Sequence, residues 1–154
     1  MLFIKKASAL FGSSVAAAAA LLIGDPSAAS AAENTHFVPE ATTIKWNGTT
    51  ATVTFLEVAV ELDANVTTIS TRVTAEVDAV CTNDESTLTI HRTASSLRAN
   101  DYLISFDGTV PGTAKVPLRV QGLNVSGYTC VVEHIAMTAE LEDFWTGATL
   151  THKA

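Results

Sequence analysis

Histidines and carboxylates are the residues of this chain that could perform acid–base or metal chemistry. The four histidines are His36, His91, His134 and His152, and no two of them are separated by two or four positions. Zinc sites usually show such short histidine spacings or a CxxC pair, and many nucleophilic hydrolases show a GxSxG turn. The chain contains none of these. We therefore expect the histidines to lie on the surface or at strand edges.

Carboxylates are abundant, and a glycosidase needs only two of them at a suitable separation. Glu57 and Glu61 lie on the polar phase of a predicted strand, and Asp84-Glu85 lie in a predicted turn, so we expect all four to be solvated. The acidic stretch 140–143 (ELED) lacks the ordered spacing of a calcium-binding loop. The sequence therefore predicts a protein that is not an enzyme and that holds no metal and no cofactor.

Cys81 and Cys130 are the only cysteines of the chain. No CxxC motif or neighbouring histidine supports zinc binding, so the two cysteines predict one disulfide. Closing a loop of this size stabilises a fold by about 4 kcal/mol. Cys81 falls on the apolar phase of its predicted strand, so we expect it to face the core and to bridge two sheets.

Phe144 and Trp145 follow an acidic step and precede a glycine turn, in the stretch ELEDFWTGATL. Aromatic residues flanked by polar ones are typical of interface anchors and of sugar-stacking platforms. Both residues are therefore candidate contacts for a partner. The alternative is that Trp145 closes one end of the core, and burial is also favoured for Trp46 because it alternates with Ile44.

Residues 1–32 have the features of a secretory signal peptide that is cleaved after Ala32. A basic start (Lys5 and Lys6) precedes an uncharged apolar stretch at 15–23, which is followed by helix-breaking and small residues. The alternative is an uncleaved membrane anchor, but the apolar stretch is short for a span of about 20 residues. We therefore predict that the protein is secreted and extracellular, with no membrane contact after cleavage.

The predicted mature chain is strongly acidic. Removal of Lys5, Lys6 and Asp25 with the signal peptide leaves 15 acidic and 7 basic residues, a net charge of −8. The basic residues are scattered, whereas a phosphate-binding surface needs a positive patch. The composition therefore argues against nucleic acid and against an anionic membrane surface as partners.

Residues 33–43 carry a proline and little periodicity, and we predict an extended N-terminal arm there. Phe37 and Val38 in this arm are candidate partner contacts, because an extended segment can add a strand to another protein's sheet. The alternative for the arm is disorder.

Residues 44–154 are predicted to form one all-β domain, an antiparallel β-sandwich of about seven to nine short strands with an immunoglobulin-like texture. Asn47-Gly48 lies between two alternating segments and predicts a hairpin, since both turn positions favour positive φ. Pro117 predicts an edge strand or a bulge, and 95–100 is predicted to be a loop. The apolar phase slips by one at Phe55-Leu56, which predicts a β-bulge there or a change of sheet.

The stretch 126–130 (SGYTC) resembles the tyrosine corner of immunoglobulin-type domains, in which a tyrosine lies two residues before a cysteine. The resemblance implies that the Tyr128 hydroxyl bonds to the backbone near the start of its strand. It also implies that the disulfide joins the two sheets of the sandwich.

Together these features predict a secreted, non-catalytic, protein-binding β-sandwich, an adaptor or structural subunit of an extracellular assembly that contacts another secreted protein. One alternative is a binding module for a carbohydrate or other small ligand, with Trp145 or Trp46 as its platform. The other is a small inhibitor of secreted hydrolases that presents the loop 107–112.

Overall fold

The computed structural model of the protein describes residues 34–154, so the predicted signal peptide lies outside the described residues. Eight strands and one 3-10 helix (Pro39–Ala41) make up the regular structure of this part of the chain. None of its helical segments is long and apolar enough to span a lipid bilayer. The strands are β1 (His36–Phe37), β2 (Thr43–Trp46), β3 (Thr50–Val58), β4 (Val66–Thr82), β5 (Thr87–Leu103), β6 (Val110–Pro117), β7 (Thr129–Asp143) and β8 (Thr149–Lys153).

Two antiparallel sheets pack face to face, which confirms the predicted all-β sandwich. In the first sheet β3 is central, with β1 and β2 paired along one edge and β6 along the other. The second sheet has the strand order β5-β4-β7-β8. Apolar side chains from both sheets meet in one core, among them Val53, Phe55, Val110 and Val116 from the first sheet and Ile69, Val73, Met137 and Leu141 from the second.

Local signals in the sequence account for several of these elements. The Asn47-Gly48 hairpin joins β2 to β3 as predicted, with Gly48 at a φ of 91°. β6 pairs only with β3, so Pro117 lies on an edge strand, which is one of the two predicted alternatives. The loop predicted at 95–100 is wrong, because β5 pairs with β4 without interruption from Thr87 to Leu103.

The core-facing phase of β3 does not change within the strand, so the bulge predicted at Phe55-Leu56 is wrong. The register between β3 and β6 is continuous, and the buried residues of β3 are Ala51, Val53, Phe55 and Glu57. The change of phase occurs one residue after the strand, at Ala59, whose φ of 56° lies in the left-handed region. This turn directs Val60 into the core, where it is 4% exposed.

The N-terminal segment belongs to the fold from residue 36, which corrects the prediction of a free arm. β1 pairs with the end of β3, and Phe37 is 3% exposed, with its ring packed edge-on against Phe55 at 5.7 Å. Val38 is half-buried and its backbone N–H donates to the carbonyl of Leu56 at 2.8 Å. Phe37 is therefore a core residue and is not available to a partner.

A β-bulge in β7 sets the register of the disulfide. Pairing between β4 and β7 shifts between Asp78 and Ala79, and Glu133 is the extra residue of β7. Because of this extra residue Cys130, rather than Val131, stands opposite Cys81. The predicted Cys81–Cys130 disulfide is formed there, with the two Cα atoms 3.9 Å apart.

The disulfide joins neighbouring strands of the second sheet and does not bridge the two sheets, which corrects the prediction. Cys81 is buried on the core-facing side of β4, but its partner lies on β7, the next strand of the same sheet. The Tyr128 hydroxyl lies 2.8 Å from the Ser86 hydroxyl in the β4–β5 turn, so it meets a side chain rather than the backbone implied by the tyrosine corner.

Replacing Phe37 with alanine should destabilise the protein by about 3–5 kcal/mol, because the change leaves a cavity between the two sheets. His36→Ala is the matched control, since His36 lies beside Phe37 in β1 but faces solvent. Chemical denaturation of both variants measures the difference. Equal stability of the two variants would show that β1 is not part of the folded core.

Deleting Glu133 should remove the bulge and leave Cys130 opposite Cys81, because Val132 and His134 already pair with the neighbouring residues Ala79 and Asp78. We expect the deletion variant to form the disulfide completely, whereas an alanine inserted between Cys130 and Val131 should stand opposite Cys81 and leave alkylatable thiols, measured by intact mass after alkylation without reduction. Glu133→Ala is the control, since it keeps the extra residue. Alkylatable thiols in the deletion variant, or a complete disulfide in the insertion variant, would contradict the register assigned to the bulge.

Candidate functional site

Three chain connections meet at one end of the sandwich, and we call this surface the Trp145 end. They are the β3–β4 connection (59–65), the β5–β6 turn (104–109) and the β7–β8 turn (144–148). Backbone hydrogen bonds tie the connections to one another and to the sheet: Val60 N–H to Gly108 O, Ile104 N–H to Asn65 O and Phe144 N–H to Thr68 O. Residues far apart in sequence therefore share one surface.

Large apolar side chains are exposed at the Trp145 end. Trp145 is 69% exposed and Phe144 55% exposed, so the alternative in which Trp145 closes the core is wrong. Val66, Leu103 and Phe106 are exposed on the same end, Phe106 completely. Exposed apolar clusters of this kind typically mark an interaction surface.

A buried carboxylate stabilises the β7–β8 turn, which carries Trp145, through hydrogen bonds to its backbone. Asp143 has no solvent exposure, and its Oδ1 accepts hydrogen bonds from the backbone N–H groups of Trp145 (2.7 Å) and Thr146 (3.1 Å). The hydroxyl of Thr67, at the start of β4, donates to Oδ2 at 2.6 Å. These bonds fix the position at which the Trp145 side chain leaves the backbone.

Glu57 lies beside Asp143 and is also fully buried, which corrects the prediction that it is solvated. Its Oε1 accepts a hydrogen bond from the Thr146 hydroxyl at 3.1 Å. If Glu57 and Asp143 were both ionised, Glu57 Oε2 would be buried with no hydrogen-bond partner among the described residues. Burial, the negative charge of Asp143 and the hydrogen bond to Asp143 together raise the pKa of Glu57 to about 8, and burial has the largest effect. Glu57 is therefore protonated at neutral pH, and its proton supplies the hydrogen bond to Asp143.

A groove of about 460 Å³ runs beside the Trp145 ring. We call it the Trp145 groove, and its lining residues are Leu62, Asp63, Ala64, Val66, Thr68, Asp101 and Trp145. The Thr68 hydroxyl donates to Asp101 Oδ1 at 2.7 Å and accepts from the Trp145 indole N–H at 3.4 Å. The ring and the carboxylate are thus linked through one hydroxyl group.

A second recess, of about 820 Å³, continues from the Trp145 groove toward Leu103 and Phe106 and shares Leu62 and Ala64 with it. Phe106 begins a short turn in which the Asp107 carboxylate accepts from the backbone and hydroxyl of Thr109, and these bonds lower the pKa of Asp107. The predicted inhibitory loop 107–112 is therefore shorter than expected, because residues 110–112 belong to β6.

Other candidate residues of the sequence lie away from this end. Trp46 is half-buried and its indole N–H donates to the Leu118 carbonyl at 3.0 Å. His91 is exposed, with Nδ1 2.6 Å from Asp78 Oδ1. Across residues 34–154, no group of three or more His, Cys, Asp or Glu side chains is arranged to hold a metal ion.

The chain matches no known protein-family profile, no curated protein and no solved structure. The fold and the site define it as a disulfide-containing all-β sandwich that exposes apolar and aromatic residues at one end.

Glu57→Gln should stabilise the protein at alkaline pH. The pKa of Glu57 rises from 4.5 to about 8 on folding, so its contribution to stability is fully present below about pH 4.5 and is lost progressively up to about pH 8. Glutamine stays neutral and donates to Asp143 at every pH, so the variant should gain on the order of 3 kcal/mol relative to the wild type across this window.

Denaturant unfolding of both proteins between those two pH values measures the effect, with Glu61→Gln as the control because Glu61 is exposed. Parallel stability curves for the wild type and Glu57→Gln would show that folding does not raise the pKa of Glu57.

Proposed function

We propose that this protein is a secreted, non-catalytic β-sandwich that binds another secreted protein through the Trp145 end, as an adaptor or structural subunit of an extracellular assembly. The observation that carries the proposal is the exposed apolar cluster of Val66, Leu103, Phe106, Phe144 and Trp145. Aromatic residues are enriched in protein interfaces and often dominate their binding energy. The cluster therefore supports a role in protein binding.

Export is supported by two features. The Cys81–Cys130 disulfide is compatible with an extracellular location, since such bonds persist in oxidising compartments. The sequence of residues 1–32 has the charge and apolar pattern of a signal peptide.

The Trp145 end is built to bind without rearrangement. Asp143 holds the backbone of the β7–β8 turn, and Thr68 holds the Trp145 indole N–H. Binding to a surface that is already ordered avoids part of the entropy cost of association. A fixed aromatic anchor therefore favours a specific partner over adaptable, non-specific contacts.

The charge of the Trp145 end indicates the partner's chemistry. The three connections and the groove contribute Glu61, Asp63, Asp101 and Asp107, and no lysine or arginine lies in 59–65, 104–109 or 144–148. The ion pairs found among the described residues, Arg72–Glu140 and His91–Asp78, involve none of these carboxylates. A complementary partner surface would combine apolar residues with basic ones.

Carbohydrate binding is the second candidate, because an exposed Trp145 ring beside Asp63 and Asp101 could also stack on a sugar and bond its hydroxyl groups. Trp46 is less suited to this role, since its indole N–H is already bonded to the main chain. A glycan array distinguishes the two: binding of a defined glycan that depends on Trp145 would favour this candidate.

Trp145→Ala should weaken partner binding at least about 30-fold, the loss that corresponds to about 2 kcal/mol at an interface hot spot. Because the ring is exposed, unfolding stability should change by less than about 1 kcal/mol. Leu97→Ala is the matched control, since Leu97 is also an exposed apolar residue (47%) but lies within β5.

The measurement begins with affinity capture from culture fluid by the wild type and both variants. Each captured protein is then purified and its dissociation constant measured with all three. A partner that binds the folded Trp145→Ala variant as tightly as the wild type would exclude the Trp145 end as the binding surface.

A further inference from the structure

The Trp145 groove is lined by aliphatic side chains, an aromatic ring and two carboxylates. Leu62, Ala64 and Val66 supply aliphatic surface, and Trp145 supplies the ring. Asp63 and Asp101 supply two negative charges. A long side chain with an aliphatic stem and a cationic head matches this combination of groups.

Hydrogen bonds place the ring and one carboxylate before any ligand arrives. The Trp145 indole N–H donates to the Thr68 hydroxyl, which in turn donates to Asp101 Oδ1. No protein donor among the described residues reaches the other oxygen of Asp101, which remains free to accept from a ligand. The backbone of Trp145 is held separately by Asp143.

The negative charge of the groove is not neutralised by neighbouring residues. No lysine, arginine or histidine lines it, and neither of the ion pairs in the described structure includes Asp63 or Asp101. A neutral ligand would leave two carboxylates beside an apolar surface without a counter-charge. A cation would satisfy both the carboxylates and the electron-rich face of the indole.

We propose that the Trp145 groove is a binding site for an arginine side chain, which the partner protein supplies. The arginine stem lies along Leu62 and Val66, and the guanidinium group stacks on the Trp145 ring. The planar guanidinium group donates hydrogen bonds to the carboxylates of the groove, chiefly to Asp101. Arginine fits better than lysine because only the guanidinium group stacks on a ring and donates to a carboxylate in parallel.

This inference rests on the proposed function for the origin of the arginine, but the groove can be tested alone. The Trp46→Phe variant leaves Trp145 as the only tryptophan of the predicted mature chain. It is titrated with three blocked tripeptides, glycyl-arginyl-glycine, its lysine analogue and its citrulline analogue, the last being the neutral isostere of arginine. Trp145 fluorescence and the indole N–H resonance report binding.

We expect saturable binding of the arginine peptide, weaker binding of the lysine peptide and none of the citrulline peptide. Asp101→Asn should weaken arginine binding about fivefold, the change that corresponds to about 1 kcal/mol for a partly exposed ion pair. Asp84→Asn is the control, because Asp84 lies in the β4–β5 turn at the opposite end. Equal binding of the arginine and citrulline peptides would overturn the proposal. Binding of a sugar, with no binding of the arginine peptide, would also overturn it.

The double variant Asp63→Asn, Asp101→Asn separates this inference from the proposed function. If the purified partner binds it as tightly as the wild type but loses affinity for Trp145→Ala, the arginine site is wrong and the protein-binding role stands. If the peptides bind in the expected order but no partner depends on Trp145, the arginine site stands and the proposed function fails.

Discussion

The hydrogen-bonded pair of Glu57 and Asp143 is the interaction on which the Trp145 end depends. Glu57 belongs to the first sheet and Asp143 to the second, and Thr146 of the β7–β8 turn bonds to both. Two buried carboxylates side by side would repel each other strongly, so the arrangement requires one of them to keep a proton. The proton on Glu57 therefore allows a polar junction between the sheets and orders the turn above it.

The sequence predicts the class of fold because the signals involved are local. Alternating β-branched residues indicate the strands, Asn47-Gly48 indicates the first hairpin, and two cysteines in a chain with a predicted export signal indicate the disulfide. Strand partners are not local. The strand order places Cys81 and Cys130 in one sheet, and the extra residue at 133 places them directly opposite each other. Neither feature leaves a pattern in a single sequence.

The candidate site was only partly predictable, for a related reason. Phe144 and Trp145 are recognisable in the sequence as aromatic residues in a polar context. Leu103 and Phe106 lie at the same end only because three chain connections meet there in the folded protein. Glu57 shares the odd-numbered phase of Ala51, Val53 and Phe55, which is a signal of burial, but a charged residue followed by an apolar even-numbered series indicates solvent instead. The left-handed backbone conformation of Ala59 moves the core-facing phase from odd to even positions after Glu57. An alanine in the sequence does not indicate such a conformation.

The position of the disulfide has a mechanical consequence. The covalent loop it closes contains all of β5 and β6, while β1, β2 and β3 lie outside the loop on the N-terminal side. Tension applied between the two chain ends would load the S–S bond and bypass the loop, so β5 and β6 could not be drawn out to their full length. The strands outside this loop, which are β1 to β3, β8 and nearly all of β4 and β7, have no such protection, so tension could separate them as far as the disulfide. If the protein links others in an extracellular assembly, as proposed, it would extend under load through these strands and retain the covalently closed loop of residues 81–130.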